Sequence, residues 1–207
     1  MKGDVLLAYS VDEIKTDAKL LSSEEFYLKH ILRSNNWYFE TVLSKSERDV
    51  MRITDDFKSI VSQSLGISFN SVSIVGSSKT GCSLVPLGKQ NDKLFRCFNE
   101  KSDIDIAIVS GDHFHMFWGL FRRSYSEVNK YHYKNISRSI YRGYINEKYL
   151  DLIDGCRKVW NEKAFKSKKL LKNRLYIGHE ITYRLYRSWE DFEEYHIQSI
   201  NEIKRSV

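Results

Sequence analysis

A short β-branched run that stops at a glycine turn, followed by a strand bearing two aspartates, constrains this chain more than any other feature. Val72, Ile74 and Val75 form the run, and Gly76-Ser77-Ser78-Lys79-Thr80-Gly81 follows with small residues and one cation, the pattern of a strand entering a tight turn. A polar loop leads to Asp103-Ile104-Asp105-Ile106-Ala107-Ile108-Val109. Strand alternation puts Ile104, Ile106 and Ile108 on one face and both aspartates on the other.

Two carboxylates at i and i+2 on a strand repel each other unless a positive charge sits between them. Their Cα atoms start roughly 6.5 Å apart, so both side chains can converge on one Mg²⁺, or on two about 3.5–4 Å apart. Mg²⁺ favours a few carboxylates plus phosphate oxygens over an all-protein cage, which makes a nucleoside triphosphate a natural companion. The turn glycines let backbone N–H groups approach a phosphate, Ser77 and Ser78 offer hydroxyls, and Lys79 offers charge.

Gly76-Ser77-x-Lys79-x-Gly81 followed by Ser102-Asp103-Ile104-Asp105 resembles the signature of the DNA polymerase β-like nucleotidyltransferase superfamily. It is nearest the branch of oligoadenylate synthetases and bacterial cyclic-oligonucleotide synthases. The resemblance implies an α+β (α/β) fold, a small mixed β-sheet flanked by helices, with helices at both ends of the chain. It implies that Gly76 and Ser77 hold the triphosphate, beside the Ser78 hydroxyl and Lys79 charge that the turn composition offers, and that Asp103 and Asp105 are catalytic and bind Mg²⁺ or Mn²⁺. The implied reaction moves a nucleoside monophosphate to a hydroxyl of a nucleotide, an RNA or a protein, in prokaryotic antiviral defence or a toxin system. The alternative is a catalytically silent domain that binds nucleotide, nucleic acid or a protein partner. Ser77 and Asp103 stand 26 positions apart, longer than the family's usual spacing, which implies an inserted loop around Gly88–Lys93.

The superfamily carries a third carboxylate on a later strand. Leu175 to Tyr186 is rich in β-formers and reads as that strand. Alternation sets Glu180 beside Thr182, Arg184 and Tyr186, making Glu180 the expected third acid; an exposed ion pair with Arg184 is the plainer reading. Asp151 and Asp154 are rivals, in a segment, Tyr149 to Gly155, that reads as a short strand ending in a turn.

At 42% hydrophobic residues, the chain can bury a core and fits residues 1–45 as a helical arm and 46–207 as the nucleotidyltransferase-like domain. The apolar run at Val5–Ala8 is too short for a signal peptide, and no stretch approaches membrane-spanning length. A cytoplasmic protein without membrane contact is expected. Cys82, Cys97 and Cys156 lack metal or disulfide spacing; Cys82 and Cys97 flank the inserted loop and could pair in principle, but in a reducing cytosol reduced thiols are expected. His113-x-His115 is either a metal pair or a helix start with one ring exposed and one packed.

The net charge of +6 gathers after Arg122, with Arg122, Arg123, Lys130, Lys134, Arg138 and Arg142 interleaved with Tyr125, Tyr131, Tyr133, Tyr141 and Tyr144. That mixture suits a phosphate backbone with stacked bases, and equally a solvated helix face with half-buried tyrosines. Helices are expected at Val11–Leu20, from Ser22-Ser23, from Ser44 or Ser46 to Leu65 with Gly66 as its stop, from Ser110-Gly111-Asp112 to Tyr125, over Glu127–Tyr144 either whole or broken within it, and after Ser188.

Overall fold

The computed structural model describes residues 8–84 and 94–206. The chain is an α+β protein with a small mixed four-stranded sheet among helices. Its strands are β1 (Val72–Val75), β2 (Ile104–Val109), β3 (Tyr144–Asn146) and β4 (Ile181–Tyr186), in the order β1-β2-β4-β3. The helices are α1 (Val11–Leu20), α2 (Ser23–Tyr27), α3 (Glu47–Leu65), α4 (Ser77–Thr80), α5 (Gly111–Arg123), α6 (Lys130–Tyr141), α7 (Glu147–Leu152), α8 (Asp154–Leu175) and α9 (Trp189–Lys204). The expected inserted loop at Gly88–Lys93 lies outside the described residues. Among those residues, no helix is long and apolar enough to cross a membrane.

Contacts group the chain into two compact units. The first comprises Met1–Asp55, Ile74–Asp105 and His196–Val207; the second comprises Asp56–Ser73 and Ile106–Tyr195. The N-terminal segment therefore shares a unit with the Gly-Ser turn and the two aspartates.

In the first unit, α1 and α2 each open on a capping box, Ser10 with Glu13 and Ser22 with Glu25, which satisfies two orphan N–H groups at each helix start. Past α2 the chain widens into a π-turn at Leu28–Leu32, breaks at Ser34–Asn36, and makes a second π-turn at Tyr38–Val42. Such turns are rare and occur mostly as single turns. The last helix of this unit is tied back at its end: Lys204 Nζ donates to the Ala18 carbonyl at 3.0 Å and to that of Leu21.

In the second unit, α3 ends at Gly66, whose φ of +70° is the left-handed stop expected of it. The start of that helix lies in the first unit, where Ser46 Oγ accepts from Asp49 N, which settles the cap on Ser46 rather than Ser44. Ser110 caps α5 and Ser188 accepts from Asp191 N at the start of α9. His113 sits half-buried with Nδ1 2.9 Å from Ser110 Oγ, while His115 is exposed, the helix-start arrangement. The strands β3 and β4 pair antiparallel, Tyr144 with Tyr186, Ile145 with Leu185 and Asn146 with Arg184. The apolar centre holds Trp160, with its ring 5.8 Å from Phe117 and 5.4 Å from Tyr183.

Two expectations need correction. The β-forming run from Leu175 is a strand only from Ile181; Leu175 ends α8, and Tyr176 turns left-handed at φ +56°, so helix capping overrides local β-propensity. Tyr149–Gly155 is helical rather than extended, divided between α7 and α8. There Asn146 caps α7 by accepting from Lys148 N at 3.0 Å, a signal that outweighs the apolar alternation behind it.

Candidate active site

The first unit brings the turn and the acidic strand into contact. Val72, Ile74 and Val75 are buried in β1, and the chain then reverses at Gly76 with φ +68° and ψ −156°. That backbone region is essentially reserved for glycine. A Cβ at Gly76 would stand 2.4 Å from Asp105 Oδ2 and 3.2 Å from its Cγ. The missing side chain is thus what lets the Asp105 carboxylate lie against the turn.

The turn itself is one helical turn, α4, closed by Lys79 N to Gly76 O at 3.1 Å and Gly81 N to Ser77 O at 2.8 Å. Gly81 has φ +79°, and a Cβ there would meet the Trp37 indole nitrogen at 2.6 Å. Trp37 in turn rests on Phe98, ring centroids 5.5 Å apart. This aromatic floor is absent from the motif reading, although the Asn35-Asn36-Trp37 break marks where it begins.

The turn has an outer and an inner half. Gly76 and Ser77 are half-buried, whereas Ser78, Lys79 and Thr80 are buried. Ser78 Oγ donates to the Val75 carbonyl at 3.1 Å, and Thr80 Oγ1 donates to that of Cys82 at 2.8 Å. Lys79, only 6% exposed, donates its ammonium to the carbonyls of Arg33 and Asn35. The ammonium ties the loop between the two π-turns to the turn's inner side, and the Ser78 hydroxyl folds back on the strand that precedes it. A buried ammonium needs such acceptors, since an isolated one costs too much to bury.

Asp103 directly precedes β2 and Asp105 is its second residue; both are half-buried, while Ile104, Ile106 and Ile108 are buried. Ser102 reaches Asp103's side of the loop through a reciprocal turn, its N donating to Asn99 O at 2.9 Å and its Oγ accepting from Asn99 N at 3.0 Å. Two half-buried carboxylates two residues apart, one of them against a glycine turn, are donors of the kind Mg²⁺ takes together with phosphate oxygens. Among the described residues, no group of three or more His, Cys, Asp or Glu side chains gathers as an all-protein metal cage.

Glu180 belongs to the second unit, one residue ahead of β4, and is exposed. Arg184 does not pair with it in the manner of a simple strand ion pair: its guanidinium lies over the rings of Tyr144 and Tyr195 at 5.3 and 4.8 Å and donates to the Tyr195 hydroxyl, a cation–π box. Asp151 is exposed on α7, and exposed Asp154 pairs with Arg157 at the start of α8.

The second unit also contains a buried carboxylate that motif reading passes over. Glu147 Oε1 accepts from Trp160 Nε1 at 2.8 Å and lies 3.0 Å from Lys168 Nζ, and Oε2 accepts from Tyr183 N at 3.0 Å. Burial pushes its carboxyl above the ordinary value, more than Lys168 and the hydrogen bonds lower it. Among the basic and aromatic residues after Arg122, Tyr131 and Tyr141 are exposed, while Tyr133 donates to the Phe121 carbonyl at 2.6 Å.

Compared with known proteins, the chain matches no family model, no curated protein and no solved structure.

Proposed function

We propose that this chain is a metal-dependent nucleotidyltransferase of the polymerase β-like type. The observation that carries the reading is the Asp105 carboxylate lying where a side chain at Gly76 would be, which joins the two halves of the motif at one place. Gly76 allows a phosphate to approach the backbone closely, and Ser77, half-buried at the outer end of the turn, offers its hydroxyl to the same phosphates. Asp103 and Asp105 would hold Mg²⁺ or Mn²⁺. Bound there, the metal supplies charge stabilisation at the transferring phosphoryl group and a lower pKa for the attacking hydroxyl. In the transfer, the acceptor hydroxyl gives its proton to solvent, its oxygen attacks the α-phosphorus of a nucleoside triphosphate, the bond to the bridging oxygen breaks, and pyrophosphate leaves.

The test is incubation with α-labelled ATP, GTP, CTP and UTP in Mg²⁺ or Mn²⁺, with Asp103→Asn and Asp105→Asn as controls. The reading expects label in a product that both controls lose while keeping wild-type circular dichroism. The product's size separates nucleotide, RNA and protein acceptors.

A second reading, a nucleotide-binding domain without transfer, is favoured by the inward commitment of Ser78 and Lys79 and by the exposed position of Glu180. It expects Mg²⁺-dependent nucleotide binding that weakens in Asp103→Asn, with no labelled product even when cell RNA and extract are supplied.

A further inference from the structure

We propose that Cys82 and Cys97 are a modification site, a dithiol that small disulfides of the oxidised-glutathione class convert to a reversible intramolecular disulfide. The two residues are partners in an isolated antiparallel bridge. The hydrogen bonds that hold it lie outside the pair, Ser83 N to Arg96 O at 2.8 Å and Phe98 N to Gly81 O at 2.9 Å. That pattern makes Cys82 and Cys97 a non-hydrogen-bonded pair, with Cα atoms about 4.5 Å apart and side chains on one face. A disulfide spans Cα separations of about 4.4–6.8 Å, so the bond forms without moving the backbone far. Both cysteines are free thiols here.

The two thiols differ in a way that sets the order of events. Cys97 is exposed and Cys82 is fully buried. Burial, reinforced by the neighbouring Cys97, pushes the Cys82 thiol up to about 12, so Cys97 supplies the attacking thiolate. Its sulfur attacks one sulfur of the small disulfide, whose S–S bond breaks; one small thiol leaves and takes a proton. Cys82 then loses its proton to solvent and attacks Cys97 Sγ in the mixed disulfide, expelling the second small thiol. Two protein thiols are oxidised by two electrons, and the small disulfide is reduced to two thiols.

The bond would join two segments that matter for geometry whatever the protein's activity. Cys82 follows Gly81, the end of the turn whose Thr80 hydroxyl already holds the Cys82 carbonyl. Cys97 lies on the segment that leads through Asn99 and Ser102 to Asp103. Oxidation therefore pins the end of the turn to the approach of the acidic strand.

The experiment uses the full chain in native buffer with oxidised glutathione, followed by unfolding, alkylation of remaining thiols and peptide mass mapping. The expected result is a fall from three alkylatable cysteines to one, Cys156, with a Cys82–Cys97 crosslinked peptide that dithiothreitol reverses. Cys82→Ala should halt at the Cys97 mixed disulfide, and Cys97→Ser should keep both remaining thiols. A glutathione adduct that persists on Cys97 in the wild-type chain beside an alkylatable Cys82 would overturn the proposal. So would a crosslink that uses Cys156, or no loss of thiols at all.

Discussion

Lys79 and Glu147 are each 6% exposed, one in each compact unit, and they satisfy a buried charge in opposite ways. Lys79 points at the carbonyls of Arg33 and Asn35, groups that belong to no regular helix ladder and need a donor. Glu147 is met by two side chains and one backbone group, an indole N–H, an ammonium and the Tyr183 N–H, all directed at its two oxygens. The lysine stitches a loop to a turn; the glutamate knots α7, α8 and β4 together. A charge that bonds to backbone carbonyls can be exchanged for water at moderate cost if the loop lifts. A charge whose partners come from three packed elements cannot be exchanged locally.

The sharpest break of this comparison is Glu147→Ala. It orphans Trp160 Nε1 and Tyr183 N and leaves Lys168 without its partner. Removing one member of a buried pair costs about 3–5 kcal/mol; Lys168 is 31% exposed and can turn to water, which sets the expectation near about 3 kcal/mol. Urea unfolding followed by fluorescence reads it, and a loss under about 1 kcal/mol would mean that the knot is not structural.

Lys79→Met should cost less, about 2 kcal/mol, the range of a charge-assisted hydrogen bond, because the freed carbonyls gain access to water when the loop lifts. The variant also separates two roles for this residue. If the ammonium is structural, nucleotide affinity falls only as far as stability does, and the affinity of the folded fraction in titration calorimetry is unchanged. An affinity loss of tenfold or more in a variant of wild-type stability would return Lys79 to the phosphates.

The contrast also marks how far the sequence carries. The order strand, glycine turn, acidic strand was legible because it rests on period-2 alternation and on glycine, both local. The helix stops and starts at Gly66, Ser110 and Ser188 were legible for the same reason. What Lys79 points at was not, since its partners lie more than forty residues away, and no local pattern records a carbonyl left over by a π-turn. Glu147 gave no signal because its value lies in Trp160, Lys168 and Tyr183, which come together only when α8 and β4 pack. The run from Leu175 misled because Tyr176 ends a helix in a left-handed conformation that a β-branched count does not see.

Gly76→Ala probes the place where local and long-range information meet. The substituted residue must hold a backbone region that costs about 1–3 kcal/mol without glycine, and its Cβ would stand 2.4 Å from Asp105 Oδ2. The carboxylate is a side-chain end and can swing aside, which leaves the backbone strain of about 1–3 kcal/mol as the stability loss. The displacement of Asp105 is then the larger consequence, so the variant should lose the proposed Mg²⁺-dependent nucleotide binding well before it loses fold. Equal binding by Gly76→Ala and the wild-type chain would separate the turn from the aspartates.

The smallest effect is a pH dependence carried by histidine, again one group in each unit. His30 Nε2 lies 2.8 Å from Asp17 Oδ2, with the rings of Tyr9 and Phe26 at 4.7 and 4.5 Å. Burial pushes its imidazole below the ordinary value despite Asp17, and Lys29 and Arg33 add to the lowering. His113 is lowered by burial and by Lys163. A histidine that is harder to protonate when folded takes up its proton more readily in the unfolded chain. Stability is therefore full above the unfolded value of about 6.5 and falls as the pH drops through it toward the folded values, by at most about 1.4 kcal/mol per pH unit for each group. Urea midpoints between pH 7.5 and 5 should decline, and His30→Gln and His113→Gln should each remove part of the slope. A steeper decline in His30→Gln would mean that the Asp17 contact, not burial, governs that ring, and His30 would then join Lys79 and Glu147 as a third buried charge rather than a neutral one.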